Sequence, residues 1–134
     1  MSGNKIFIDS NVFLYSLSDD SSKKSLALSY FQKNYITSIQ VVNENINVCL
    51  KKLKLSKEIS FQHGQNILQS CDVKLITKSS IELACKISLE YGYSYWDSLI
   101  IAVALENDCN YLYSEDLQDG QIISNQLTIQ NPFK

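Results

Sequence analysis

Strand-like and helix-like runs alternate from one end of this chain to the other, and that alternation is what most restricts its fold. Lys5 to Ile8 reads as a short apolar strand of the kind buried on both faces. A short helix around Asn11 to Leu17 follows, then a turn at Asp19 to Ser22. Ser21 or Asp20 is the N-cap of a helix running to about Lys33. Tyr35 to Thr37 is a second strand. Helices are expected from about Ser38 to Leu53 and from Ser56 to about Ser70, then a strand from Val73 to Ile76. Ser79 to Glu82 reads as a capping box opening a helix that reaches about Tyr91, and Ser94 opens another ending near Asn107. Asn110 to Tyr113 is a fourth strand, Asp119-Gly120 a turn, and Leu127 to Ile129 an edge strand. Such an order predicts an α/β fold of three layers, with a mainly parallel central sheet of about five short strands and helices on both faces.

The chain has 134 residues, the size of a single domain, expected to span 1–134. A hydrophobic share of 45% supports a real core, and no apolar run is long enough to span a membrane. The longest, Leu99 to Leu105, is expected to lie on an amphipathic helix. No basic region precedes a long apolar stretch at the N-terminus, so a signal peptide is not expected. Cys49, Cys71, Cys85 and Cys109 lack C-x-x-C spacing and read as buried, reduced thiols of a cytoplasmic protein. With no thiol pairs and His63 the single histidine, zinc is not expected. His63 itself reads as a surface or packing residue. The net charge is −2, and every basic residue is Lys. The lack of Arg argues against tight, sequence-specific nucleic-acid binding, but leaves room for a nuclease whose metal ions bind the phosphate.

Four carboxylates stand where the pattern is otherwise apolar or is leaving a strand. Asp9 follows Ile6-Phe7-Ile8, and Asp116 follows Tyr111-Leu112-Tyr113 by way of Ser114-Glu115. Glu44 lies between Val41 and Val48 on one helix, and Asp97 shares a side with Ile100, Ile101 and Ala104 on another. Each has an ordinary alternative role: an N-cap for Asp9, a solvated helix edge for Glu44, a capping box with Ser94 for Asp97, a loop acid for Asp116. Together they suggest one pocket at the edge of a parallel sheet, where ligands bind. Like charges that close repel unless a cation intervenes, and carboxylate oxygens without His or Cys select Mg²⁺ or Mn²⁺.

These residues, in this order, resemble the PIN-domain ribonucleases, particularly the VapC-like toxins of toxin–antitoxin pairs. The resemblance rests on Ile6-Phe7-Ile8-Asp9-Ser10-Asn11, on Ser38 to Glu44, on Tyr95-Trp96-Asp97-Ser98 with the apolar run to Ala104, and on Leu112 to Leu117. It implies a metal-dependent endoribonuclease acting through a metal-activated water, with one or two Mg²⁺ or Mn²⁺ ions held by Asp9, Glu44, Asp97 and Asp116. Asn11 and Ser114 would support the cluster by hydrogen bonding. A homodimer and a cognate antitoxin are also implied. Lys51, Lys52, Lys54 and Lys57 form the one basic cluster and are candidate RNA contacts, or an ordinary solvated helix end.

A second reading keeps the fold without turnover, as a binding module for an antitoxin or RNA. Other metal-dependent α/β enzymes fit less well. Asp9-Ser10-Asn11 lacks the second acid of haloacid dehalogenase-like enzymes, and the acidic pair of response-regulator receivers is missing. No glycine-rich segment makes a P-loop, and a Cys–His hydrolase has no supporting motif.

Overall fold

Ile6-Phe7-Ile8 forms β1 (Ile6–Ile8), and its neighbours explain its composition: strands pair with it on both sides, and Phe7 and Ile8 are wholly buried. The computed structural model describes residues 3–134. After β1 come α1 (Ser10–Leu14), a 3-10 turn (Tyr15–Leu17), α2 (Ser21–Leu28), β2 (Tyr35–Ser38), α3 (Ile39–Lys51) and α4 (Lys57–Ser70). Then follow β3 (Asp72–Lys74), α5 (Lys78–Tyr91), α6 (Tyr95–Glu106), β4 (Tyr111–Tyr113), β5 (Ile122–Ile123) and β6 (Leu127–Gln130).

Among the described residues the sheet has six strands in the order β3-β2-β1-β4-β6-β5. Every pairing is parallel except β5 with β6. The expected α/β architecture is present, with one more strand than the pattern predicts. The extra one is β5, a two-residue strand too short to show alternation. It turns into β6 through Ser124 and Asn125, both at positive φ (52° and 55°), with the Gln126 N–H donating to the Ile123 carbonyl. Positive φ at both central residues matches the right-handed twist of paired strands. Because β5 covers it, β6 is an interior strand and not the expected edge.

The chain moves from β1 to β2 to β3 in one direction, then crosses back to place β4 on the other side of β1. Right-handed crossovers put the helices of the outward steps on one face and those of the return on the other. The packing follows: α1 contacts α2 and α3, α3 contacts α4, and α5 lies against α6. The direction reverses between β1 and β4, which opens a crevice beyond their C-terminal ends. Asp9 and Asp116 follow those two ends.

Side-chain caps start the helices. Asp20 accepts from the Lys23 N–H at 3.2 Å, Ser56 from Ile59 at 3.2 Å and Ser94 from Asp97 at 3.1 Å. α2 stops at Leu28, short of the expected Lys33. The box that opens α5 is not Ser79 with Glu82. It is Thr77 with Ser80, whose hydroxyl accepts from the Thr77 N–H at 3.0 Å. Ser79 instead donates to Glu106 at 2.5 Å. Left-handed Gly92 (φ +80°) ends α5, a conformation glycine adopts without strain.

Two further expectations change. α6 is not amphipathic: Ser98 through Leu105 are all buried. A helix apolar all round belongs in the core, and each such Leu, Ile or Val contributes about 1.5–3 kcal/mol by leaving water. Cys49, Cys71 and Cys109 are buried free thiols, but Cys85 is exposed, on the outer side of α5.

Candidate active site

Asp9 stands where β1 becomes α1. Its backbone is extended, and one carboxylate oxygen caps α1 by accepting from the Ser10 N–H at 2.7 Å. The other accepts from the Ser114 hydroxyl at 2.8 Å. Both the ordinary cap and a place in the acid cluster therefore apply to the same residue. Asp9 is 6% exposed. Burial pushes its carboxyl up to about 7, with the charges of Glu44 and Asp97 adding to the rise and the Ser114 and Ser10 hydrogen bonds opposing it.

Ser114 organises the loop after β4. Fully buried, it gives its proton to Asp9 and accepts from the Asp116 N–H at 3.2 Å and, more weakly, from Leu117 at 3.4 Å. Asn11 does not bond to an acid directly. Its Oδ1 accepts from the Glu115 N–H at 3.1 Å, which clips the same loop to α1. Glu115 and Asp116 then part ways. Glu115 accepts from the Tyr15 hydroxyl at 2.6 Å, with Lys23 at 3.7 Å, while Asp116 faces the cleft from an exposed position. The Glu115 bond is the main cause of a raised Tyr15 hydroxyl pKa.

Glu44 comes from the middle of α3 and is half-buried, with the Ser10 hydroxyl donating to its Oε1. Asp97 sits in the first turn of α6, its N–H bound by Ser94 and its side chain half-buried, as the apolar neighbours on its side suggest. Burial raises its pKa, and the Asp116 charge adds to the rise, while Ser94 opposes it.

One cleft of about 370 Å³ is lined by Asp9, Glu44, Asp97 and Asp116 together, with Ser10, Asn11 and Lys52 among the other walls. Four acids from separate stretches of chain thus converge. They do not form a closed cage: among the described residues no three His, Cys, Asp or Glu side chains stand ready to share an ion. An open set still suits Mg²⁺, which keeps several of its waters and needs one or two direct carboxylates. The donors are all oxygen, as Mg²⁺ and Mn²⁺ prefer. The repulsion that adds to the rise at Asp9 and Asp97 is what a cation would remove.

Of the basic cluster, Lys52 alone lines this cleft. Lys51, Lys54 and Lys57 are exposed elsewhere, the first two around the end of α3 and the last opening α4. His63 is a packing residue, buried and bonded through Nε2 to Asn45 Oδ1 at 2.7 Å, with its pKa lowered by burial. Ser10 and Gln40, neither of them an acid, both contact Glu44. The spacing of Gln40, one helical turn before Glu44, is the sequence signal for its contact.

A family model described as PIN domain matches residues 6–118. The chain belongs to the PIN domain family. No curated protein sequence matches it. Solved structures do. A toxin–antitoxin complex from Klebsiella pneumoniae superposes with a TM-score of 0.71 at 16% identity, over 96% of this chain and 98% of that one. A DNA-bound VapBC from Salmonella typhimurium gives 0.68 at 15% identity, again over 96% and 98%. VapC20 of Mycobacterium tuberculosis, described as a toxin cleaving the sarcin–ricin loop, gives 0.66 at 20% identity, over 84% and 90%. At these identities the likeness is one of fold. Within this PIN domain the family resemblance read from the motifs and the architecture agree.

Proposed function

We propose that this PIN domain is a metal-dependent endoribonuclease and the toxin of a toxin–antitoxin pair. The observation that carries the reading is the convergence of Asp9, Glu44, Asp97 and Asp116 on one cleft at the ends of β1 and β4. A bound Mg²⁺ or Mn²⁺ would supply positive charge to a phosphate oxygen and make a water molecule more acidic. The chain's own groups set the stage. Asp9, held at both oxygens, keeps a fixed orientation, and burial raises its pKa, so a nearby cation would favour its ionised form. Glu44 and Asp97 face it, and the Ser114–Asn11 loop contacts bring Asp116 to the rim. Lys52 is the cation placed to meet an RNA phosphate beside the reacting one.

An antitoxin and a homodimer complete the proposal. The likeness to toxin–antitoxin complexes supports the antitoxin, as does a separate hollow of about 690 Å³ whose wall includes Leu17, Leu28, Phe31 and Ile59. Leu28 and Ile59 are about half exposed there and offer apolar surface to a partner. Trp96, 63% exposed, shares another hollow with Ile76 and Leu99 and supports a dimer face. Among the described residues no helix is long and apolar enough to cross a membrane.

The test is cleavage of a mixed RNA pool by antitoxin-free protein with Mg²⁺ or Mn²⁺, with and without EDTA, beside Asp97→Asn. Cleavage should need the metal and fall by about 100-fold or more in the variant, the scale of losing one transition-state-stabilising group. Folded protein that binds antitoxin or RNA without cutting would instead favour the binding-module reading.

A further inference from the structure

Glu44 is held by two residues that are not acids. Its Oε1 accepts from the Ser10 hydroxyl, and its Oε2 from the Gln40 amide nitrogen at 3.3 Å. The same Gln40 nitrogen donates to the Trp96 carbonyl at 3.0 Å. Turning the amide over would set its oxygen against a carboxylate and a carbonyl, so these contacts dictate its orientation. Gln40 is 7% exposed, and its Oε1 is buried without a partner. A buried amide that satisfies others while its own oxygen goes unsatisfied calls for an explanation, since an apolar side chain of like length would fill the space.

The partners supply one. Ser10 follows Asp9, and Trp96 precedes Asp97. The two donors therefore tie Glu44 to the neighbours of the two acids it faces, one on α1 and one on α6. The geometry points to Gln40 and Ser10 as positioning residues that fix the Glu44 carboxylate relative to Asp9 and Asp97, and so set which carboxylate oxygens the cleft offers to a divalent cation and its waters. This rests on the metal-dependent reading. Neither residue needs to touch the cation or the RNA. Groups that orient metal-binding carboxylates typically change metal affinity or activity about 10- to 100-fold when removed.

The test is Mn²⁺ binding by calorimetry on the full chain, with cleavage kinetics alongside, for Gln40→Met, Ser10→Ala and Ser10→Thr. Gln40→Met and Ser10→Ala should each raise the Mn²⁺ midpoint by about 10-fold or more. Cleavage should recover at saturating Mn²⁺, with an unchanged KM for RNA, and Ser10→Thr should keep the wild-type midpoint because it keeps the hydroxyl. Wild-type midpoints in both Gln40→Met and Ser10→Ala would overturn the inference and make the contacts simple helix ties. Should Gln40→Met fail to fold, Ser10→Ala decides by itself. A wild-type protein that binds no Mn²⁺ would remove the underlying reading, and the positioning role with it.

Discussion

Replacing Asp9 by Asn should make the protein more stable above neutral pH, at the expense of activity. Asp9 titrates at about 7 in the folded chain against 3.8 as an unperturbed group. Between those values the folded protein keeps a proton that the unfolded chain has released. Stability therefore falls as pH rises from about 4 to about 7 and levels off beyond. The full loss is on the order of 4 kcal/mol. Asn does not titrate and escapes it. Against the gain stand the hydrogen bonds from the Ser10 N–H and the Ser114 hydroxyl. The Asn carbonyl keeps one, and its amide can donate to the Ser114 oxygen instead, so the penalty is about 1–2 kcal/mol. The net is about 2–3 kcal/mol in favour of Asp9→Asn near pH 8, vanishing or reversing near pH 4. For 134 residues a kcal/mol corresponds to about 3.5 °C, giving a Tm rise of roughly 7–10 °C. Thermal and urea unfolding of both proteins in EDTA, from about pH 4 to 8, reads this directly. A difference that stays constant with pH, or a wild type more stable than the variant near pH 8, would refute the reasoning. Saturating Mn²⁺ should narrow or reverse the order, because it stabilises the form with the better site.

Two further outcomes follow from the site and its surroundings. Lys52→Ala should weaken RNA binding and lower the slope of log affinity against log salt by about 1, as expected for one lost phosphate contact. Lys51→Ala should leave both unchanged, and equal effects of the two in salt-titrated binding would show that the cleft does not select Lys52. For the proposed homodimer, Trp96→Asp should weaken the dimer in sedimentation equilibrium by about 10-fold or more, because the interface would bury an aromatic that is 63% exposed in the single chain. An unchanged dimer would place the interface elsewhere.

The family was legible from motifs because the residues that carry it are fixed by local chemistry. Asp9 must both leave a strand and cap a helix, and Ser94 must precede α6 by one residue. Such short-range needs leave marks in order and spacing. The four acids were individually ordinary, however, and their convergence depends on the strand order. Gln40 shows the limit well. Its contact with Glu44 lies within one helix turn and was readable, whereas its bond to the Trp96 carbonyl joins α3 to α6 across 56 positions of sequence.

The departures share that cause. Leu99 to Leu105 reads the same whether a helix lies on the surface or in the core, and only the helices and strands around α6 settle that this run is buried throughout. β6 carries an edge-like pattern, but β5 pairs beyond it through a turn at Ser124-Asn125 that few sequence signals announce. Asn11 makes a hydrogen bond beside the cleft, as expected, but that its partner is the Glu115 backbone is set by where the β4 loop comes to rest. By itself the sequence determined the alternation of elements, most of the caps and which acids interrupt the apolar pattern, because periodicity and capping act within a few residues. Tertiary structure alone decided which strands are neighbours, which lysine enters the cleft and how strongly Asp9 holds its proton, because those depend on charges and surfaces brought together from distant parts of the chain.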